Sequence, residues 1–297
     1  MMKQRNYLGY LFITPLFLLF AIFIVYPILF NLYVGFFEWN GVSRQMTYKG
    51  FANFAKLLKD PVLLKIMRNF IFFAVSTILI QAFLGLLYAS FFIRKIRGSG
   101  FYRTIFYIPV IATPAIVGNI FSKRLETNRG YLNEGLRFFG LEIFTGQWLA
   151  DPKLALISII MVNIWQWTGY SMLMYYANML NIPQDVYEAA TIDGANPFQQ
   201  FFRITLPLLR STHFTLFVMG VLGSLKSFDL PYILTKGGPN YGTEFFSTYI
   251  LKKSFELFDQ GGASALVTIM LVIAMVITFV QIKMYTRNDK DKELAES

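Results

Sequence analysis

One long apolar stretch of the chain, residues 154–184, carries polar and aromatic side chains at helical spacing. Steps of three, four and seven residues place four of them on one helix face: Asn163, Gln166, Trp167 and Tyr170. Amide and phenol groups exchange hydrogen bonds with hydroxyl groups, and aromatic rings pack against C–H groups. Because a carbohydrate presents both kinds of surface, this face is predicted to contact a carbohydrate inside an apolar environment.

A second candidate group lies further along the chain, where Gly220, Ser224 and Ser227 form a stripe of small residues. Two interpretations stay open for Ser224 and Ser227. They contact the same carbohydrate as the face described above, or they allow close packing between helices, which small residues permit in membranes. Lys226 and Asp229 are three residues apart and are predicted to form a structural ion pair near the outer end of their helix.

The sequence offers no set of residues for catalysis. His213 is the only histidine, cysteine does not occur, and no group of histidines and carboxylates has the spacing of metal ligands. A serine, histidine and acid set typical of a nucleophilic enzyme is also missing. The chain lacks the G-x-x-x-x-G-K-[ST] phosphate loop of ATP-hydrolysing proteins as well. We therefore predict no catalytic residue, no metal site and no enzyme activity.

Composition and hydropathy indicate a membrane protein, since hydrophobic residues make up 55% of the 297 residues and aromatic residues 18%. A membrane-crossing helix needs about 20 apolar residues, and backbone in lipid must form its hydrogen bonds internally. Six stretches meet this requirement, and the alternation of a membrane β-barrel is absent. The predicted fold is an all-α, polytopic single transmembrane domain over residues 1–297, with crossings at about 8–36, 69–93, 104–122, 154–180, 211–234 and 262–284.

The distribution of basic residues predicts which side each loop faces. The connection 94–103 carries four cations within ten residues: Arg94, Lys95, Arg97 and Arg103. Short loops rich in Lys and Arg stay on the cytoplasmic side, so both termini are predicted to be cytoplasmic. The net charge of +10 is explained by anionic lipid headgroups and loop anchoring, and it requires no nucleic acid as a partner.

Between the fourth and fifth crossings lies a polar segment, residues 183–207, that is predicted to be cytoplasmic. Pro183 suits a first helical position and Gly194 suits a left-handed helix end, so the residues between them are predicted to be one short helix. Asn196 can cap a second helix, which Pro207 is expected to interrupt. The segment is therefore predicted to form a helix–turn–helix along the surface of the bundle.

The same segment follows a fixed pattern: Glu188-Ala189-Ala190, three residues, Gly194, nine residues, and then Ile204-x-Leu206-Pro207. This pattern resembles the EAA loop of permease subunits in binding-protein-dependent ABC importers. Over nearly its whole length the chain is similar to six-crossing permeases of the carbohydrate-importing branch, the maltose and multiple-sugar family, which have the type I importer fold. The resemblance implies that the loop couples to an ATPase through these residues: Glu188, Ala189, Ala190, Asp193, Gly194, Leu206 and Pro207.

The resemblance also concerns the polar face of the fourth crossing. In maltose-type permeases, the crossing before the EAA loop contributes an Asn and, seven residues later, a Tyr to the sugar site, which matches Asn163 and Tyr170. Where that family has a small Gly between the two, this chain has Trp167, which is expected to narrow or reshape the cavity. The residues predicted to bind substrate are Asn163, Gln166, Trp167, Tyr170, Ser224 and Ser227.

By resemblance, the chain is the membrane-spanning subunit of an ATP-driven sugar importer in a prokaryotic cell membrane. Its implied partners are a second permease in a heterodimer, two cytoplasmic ATPase subunits, an extracytoplasmic solute-binding protein and membrane lipid. No cofactor is implied in this chain, because ATP and Mg bind to the ATPase subunits. Three alternatives stay open: an ion-coupled secondary transporter, a permease for a non-sugar solute such as a glycerol phosphodiester, and a membrane-embedded enzyme acting on lipid-linked glycans.

The predicted orientation can be tested by cysteine labelling, because the native chain contains no cysteine. Single cysteines at Ser99 and Asn196 are expected to react only with thiol reagents that enter the cell. A cysteine at Asn240 is expected to react with an impermeant reagent applied from outside. External labelling at Asn196 would contradict the orientation.

Overall fold

The computed structural model describes residues 2–93 and 97–296, and their side chains for residues 10–93 and 97–285. Arg94 and Lys95, two of the cations behind the predicted orientation, lie outside the described residues. Within the described part, strand pairing is limited to a short antiparallel ribbon of β1 (Phe37–Glu38) and β2 (Thr47–Tyr48). The predicted all-α fold class is confirmed.

The α-helices in chain order are α1 (Met2–Phe20), α2 (Tyr26–Val34), α3 (Ala52–Leu58), α4 (Pro61–Phe92), α5 (Ser99–Ile111), α6 (Pro114–Arg124), α7 (Tyr131–Phe138), α8 (Pro152–Leu180), α9 (Gln184–Ile192), α10 (Pro197–Gln200), α11 (Leu206–Leu208), α12 (Arg210–Leu225), α13 (Asp229–Thr235), α14 (Phe246–Leu251) and α15 (Gln260–Glu296). Wider π-helical turns at Ala21–Val25, Phe201–Thr205 and Lys252–Glu256 follow α1, α10 and α14, and a 3₁₀ turn spans Glu142–Phe144.

Several of these helices are suited to a membrane. Among the described residues, the ranges Tyr10–Val34, Pro61–Phe92 and Gln260–Tyr285 are long and apolar enough to span one, and the number rises to five if each of two bent helix pairs is one span. The 29-residue helix α8 is long enough as well, but its polar residues lower its mean hydropathy below that of these helices. The number of six crossings stays a prediction.

The predicted third crossing, 104–122, is divided into two helices in the structure. α5 ends at Ile111, α6 begins at Pro114, and their axes differ by 91°. Proline disfavours a helical conformation for the residue before it, and Thr113 accordingly has an extended backbone with ψ 141°. The Thr113 hydroxyl accepts a hydrogen bond from the Ile116 N–H and caps α6. The residues of this predicted crossing therefore form two helices that meet at a sharp bend.

The predicted fifth crossing, 211–234, is divided as well. α12 ends at Leu225 and α13 begins only at Asp229. Lys226 and Asp229 therefore flank a break in the helix and do not lie one turn apart on it. No ion pair between them is present among the described residues, which corrects the predicted structural pair.

Pro207 was expected to interrupt its helix, yet the chain stays helical through Leu208. The π-turn Phe201–Thr205 explains this difference, because the Leu206 N–H donates to the carbonyl of the first residue of that turn. A wide turn gives room to a proline ring and requires no N–H from it. The axis bends by 59° only at Leu209, directly before α12 begins.

The described residues divide into two compact units. One contains the chain up to Leu63 together with Tyr249–Met275, and the other contains Leu64–Thr248 together with the chain from Val276 onward. In the first unit, Asn53 donates hydrogen bonds to the carbonyls of Gly35 and Phe37 at 2.9 and 2.8 Å. These bonds hold β1 against α3.

In the second unit, α8 is the central helix, because it packs against α5, α12 and α13. Gly169 lets α5 approach closely, since a Cβ atom there would lie 2.1 Å from the Phe106 carbonyl oxygen. Gly85 does the same for α4, where a Cβ atom would lie 2.7 Å from the Ser171 side chain. Apolar side chains around α8 form a buried core: Phe73, Val117, Leu125, Leu156, Ile159, Ile160, Val162, Leu230, Leu234 and Phe245.

Candidate functional site

A cavity of about 470 Å³ lies in the second unit, beside the polar face of α8. The structure brings all six residues predicted to bind substrate to the wall of this cavity: Asn163, Gln166, Trp167, Tyr170, Ser224 and Ser227. Residues of α4, α12 and α13 and the first residue of α6 complete the wall. The break after α12 therefore contributes residues to the cavity, and α6 contributes the residue with which it begins.

Asn163 is held by a residue that the sequence analysis did not identify. Gln81 on α4 donates from Nε2 to the Asn163 side-chain oxygen at 3.0 Å and to the Asn163 backbone carbonyl at 3.2 Å. Both residues line the cavity. Thr77 lines it too, one helical turn before Gln81 on the same face. The sequence contains a signal that could have identified Gln81, because Thr77 and Gln81 are polar residues four positions apart in an apolar stretch.

Gln166 is fully buried and links α8 to the break between α5 and α6. Its Nε2 donates to the carbonyl of Ala112 at 3.0 Å, next to the point where the helix stops. Its Oε1 is buried and accepts no hydrogen bond from the described residues. An unpaired buried acceptor costs about 1–3 kcal/mol, so a donor supplied from the cavity would be stabilised there.

The aromatic part of the wall comes from α8, from Phe73 of α4 and from the residue directly before α13. The rings of Trp167 and Tyr170 meet edge to face with centroids 6.4 Å apart. Phe228 lines the cavity and stacks on Tyr232 at 5.0 Å. Amides and ring faces therefore occur on the same cavity, a combination that suits a ligand with both hydroxyl and C–H surfaces.

The small residues Gly220, Ser224 and Ser227 do not all have the same role: one packs against a neighbouring helix, and the two serines line the cavity. Gly220 serves packing, because a Cβ atom there would lie 2.5 Å from the Ile78 side chain on α4. The Ser224 hydroxyl donates to the Gly220 carbonyl at 2.8 Å within its own helix, although Ser224 also lines the cavity. Ser227 lies in the break after α12 and lines the cavity as well.

Lys226 and Asp229 are exposed and both line the cavity. Their position at the break of a helix pair differs from the structural role predicted for them. Charged groups that reach into a membrane protein usually face water or a protein interior. The two side chains give this part of the cavity wall one charge of each sign.

The polar segment 183–207 is a helix–turn–helix, as predicted. α9 begins directly after Pro183, which occupies the N-cap and not the first helical position. Gly194 has φ +78°, the left-handed conformation expected at the helix end. Asn196 and Gln199 form a capping box at the start of α10, with both hydrogen bonds at 2.9 Å.

Side-chain hydrogen bonds fix the two arms of this segment to each other. The hydroxyls of Tyr187 and Thr205 lie 2.8 Å apart, and Gln200 donates to the Thr191 hydroxyl at 2.9 Å. The Glu188 carboxylate is exposed and accepts a hydrogen bond from Gln184 at 2.9 Å. Because these hydrogen bonds connect its two arms, the segment can move as a rigid unit.

The segment also presents an uncovered apolar surface. Ile192 is 86% exposed and Phe198 71% exposed. Ala189, Asp193 and Pro207 are exposed, and Ala190 and Leu206 are half-buried. Exposed apolar patches of this kind mark surfaces that bind another protein or a membrane. The role of the individual residues in coupling stays a prediction.

Comparison with known proteins identifies the relatives of this chain. Residues 81–288 match the family described as the binding-protein-dependent transport system inner membrane component. The chain is 36% identical to the probable ABC transporter permease protein YurN of Bacillus subtilis (strain 168), with 96% of this chain and 98% of that protein covered. It is 31% identical to the lactose transport system permease protein LacF of Rhizobium radiobacter, with 92% of each covered.

A solved structure shares the fold. The chain superposes with a TM-score of 0.80 and 24% identity on a chain in the crystal structure of a bacterial alginate ABC transporter in complex with an alginate pentasaccharide-bound periplasmic protein. The superposition covers 96% of each chain. The fold is therefore that of an ABC importer permease.

Proposed function

Because the chain belongs to the family of inner membrane components of binding-protein-dependent transport systems, we propose that it forms the path by which an ABC importer carries a carbohydrate across the membrane. The observation that carries the proposal is the cavity of about 470 Å³ whose wall combines amides, hydroxyls and aromatic rings. Lactose is the solute named for one relative, and a sugar suits this wall.

The proposed mechanism relies on movement of helices around the cavity. Closure of a pair of ATPase subunits on ATP would displace the segment 183–207 as one piece. The bend of 59° at Leu209 connects this segment to α12, which contributes to the cavity wall. A displacement of the segment would therefore be transmitted to the wall as rigid-body motion.

The proposal includes several partners. A solute-binding protein outside the membrane delivers the sugar, a second permease subunit completes the path, and two cytoplasmic ATPase subunits bind ATP and Mg. The exposed patch of α9 and α10 supports an ATPase as the partner of this segment, because Glu188 adds one carboxylate beside apolar side chains. We place both termini on the cytoplasmic side, on the basis of the basic connection 94–103.

The direct test is ATP hydrolysis by the assembled complex in liposomes, with the binding protein and a panel of lactose, maltose and a glycerol phosphodiester. Hydrolysis stimulated by a sugar supports the proposal. Stimulation by the phosphodiester alone would indicate that the transported solute is a glycerol phosphodiester and not a carbohydrate. Uptake driven by an ion gradient without ATP would contradict the importer mechanism and support a secondary transporter.

Two substitutions test the cavity. Asn163→Ala and Tyr170→Ala are expected to lower the initial rate of sugar uptake about fivefold each, since each removes a hydrogen bond worth about 1 kcal/mol. Assembly with the ATPase is expected to stay intact. Asn178→Ala is the matched control, because Asn178 lies on the same helix and its side chain bonds, among the described residues, only to the Met174 carbonyl of that helix. Wild-type uptake in both cavity variants would place the path elsewhere.

Substitution of Gly194 tests the coupling segment. A Cβ atom at Gly194 would meet nothing within 4 Å, so any effect arises from the backbone conformation at φ +78°. Gly194→Val should cost about 1–2 kcal/mol in this conformation and misalign α9, whereas Asn tolerates it. We expect Gly194→Val to reduce ATPase copurification and uptake, and Gly194→Asn to retain both. Equal behaviour of the two variants would contradict this role.

A further inference from the structure

The contact between α4 and α8 fixes the direction of one amide at the cavity. Gln81 Nε2 lies 3.2 Å from the backbone carbonyl oxygen of Asn163. A carbonyl oxygen only accepts hydrogen bonds, so the nitrogen of Gln81 must face it. This contact therefore fixes which end of the Gln81 amide is the nitrogen and which is the oxygen.

The orientation of Asn163 follows from this contact. The same Gln81 nitrogen lies 3.0 Å from the side chain of Asn163, and a donor requires an acceptor there. The atom facing Gln81 is therefore Oδ1 of Asn163. Its Nδ2 makes no hydrogen bond to the described residues, and Asn163 lines the cavity.

We propose that Gln81 is a positioning residue of this cavity, and that it holds the Asn163 amide so that a hydrogen-bond donor is presented to the transported molecule. The inference rests on the proposed function. It adds that the molecule must offer an oxygen acceptor to Asn163. The hydroxyl, ring and bridging oxygens of a sugar meet this requirement.

Gln81 contacts Asn163 at two points, the side-chain oxygen and the backbone carbonyl. If Gln81 is removed, the amide can rotate about its last torsion, and its donor is no longer fixed toward the cavity. Gln81 would therefore act on transport through Asn163, although it lines the cavity as well.

The test is a double-mutant cycle on initial uptake of radiolabelled lactose, or of the panel solute with the highest wild-type rate, at a concentration well below the wild-type KM. Gln81→Met removes the donor while keeping an unbranched side chain of similar length. It is expected to lower uptake about fivefold, the effect of one hydrogen bond. In the Asn163→Ala background the same change is expected to lower uptake less than about twofold, because the residue on which Gln81 acts is gone.

Asn163→Asp tests the donor itself. An Asp can still accept from Gln81, but it offers the cavity a carboxylate oxygen in place of the N–H. We expect uptake to fall as far as in Asn163→Ala. Ser90→Ala is the control on α4, because the Ser90 hydroxyl bonds at 2.7 Å to Leu86 of the same helix and lies away from the cavity.

The outcomes separate this inference from the proposed function. If Asn163→Ala lowers uptake and Gln81→Met does not, only the positioning role is contradicted. Additive effects in the cycle, or wild-type uptake in Asn163→Asp, would contradict it as well. Unchanged uptake in Asn163→Ala would contradict the role of Gln81, and unchanged uptake in Tyr170→Ala as well would contradict the cavity as the path. In the control Ser90→Ala, uptake, ATPase copurification and basal ATP hydrolysis are expected to stay at wild-type levels.

Discussion

The structure depends on one constraint: backbone groups in a membrane must find hydrogen-bond partners inside the protein. Continuous helices meet it automatically, but this chain interrupts its helices at α5–α6 and at α12–α13. At the first interruption the carbonyl of Ala112 accepts a hydrogen bond from Gln166, which is fully buried on α8. A polar side chain in the central helix thus makes a break tolerable, and the break in turn provides room for a cavity.

The need for hydrogen-bond partners inside the protein also explains the polar residues of α8. Asn163 bonds to Gln81 on α4, and Gln166 bonds to Ala112, so both amides have structural partners and still retain groups without one. Those remaining groups are what a polar solute could use. The helix is less apolar than the neighbouring α4, and it carries amides of the polar cavity lining. Its close contacts at Gly169 and Gly85 hold this lining against α5 and α4.

Much of this arrangement could be predicted from the sequence. Helical spacing placed the four α8 residues on one face, and the Gly194 and Asn196 signals gave the turn of the coupling segment with its left-handed glycine. The sharp breaks within the predicted third and fifth crossings were missed, because the hydropathy of a stretch of about 20 residues does not register an interruption of only a few of them. Gln81 was missed because its partner lies 82 positions away, and only the packing of α4 on α8 brings them together.

The central claim is that one cavity opens to alternate sides of the membrane under control of the ATPase. A single cysteine at Ser227, in the assembled complex, can be modified by an impermeant thiol reagent applied to either side of liposomes. The account predicts that the side from which the cysteine reacts changes when nucleotide is trapped in the ATPase subunits, and that the transported sugar slows the reaction. Reaction from the same side at the same rate in both conditions would contradict it.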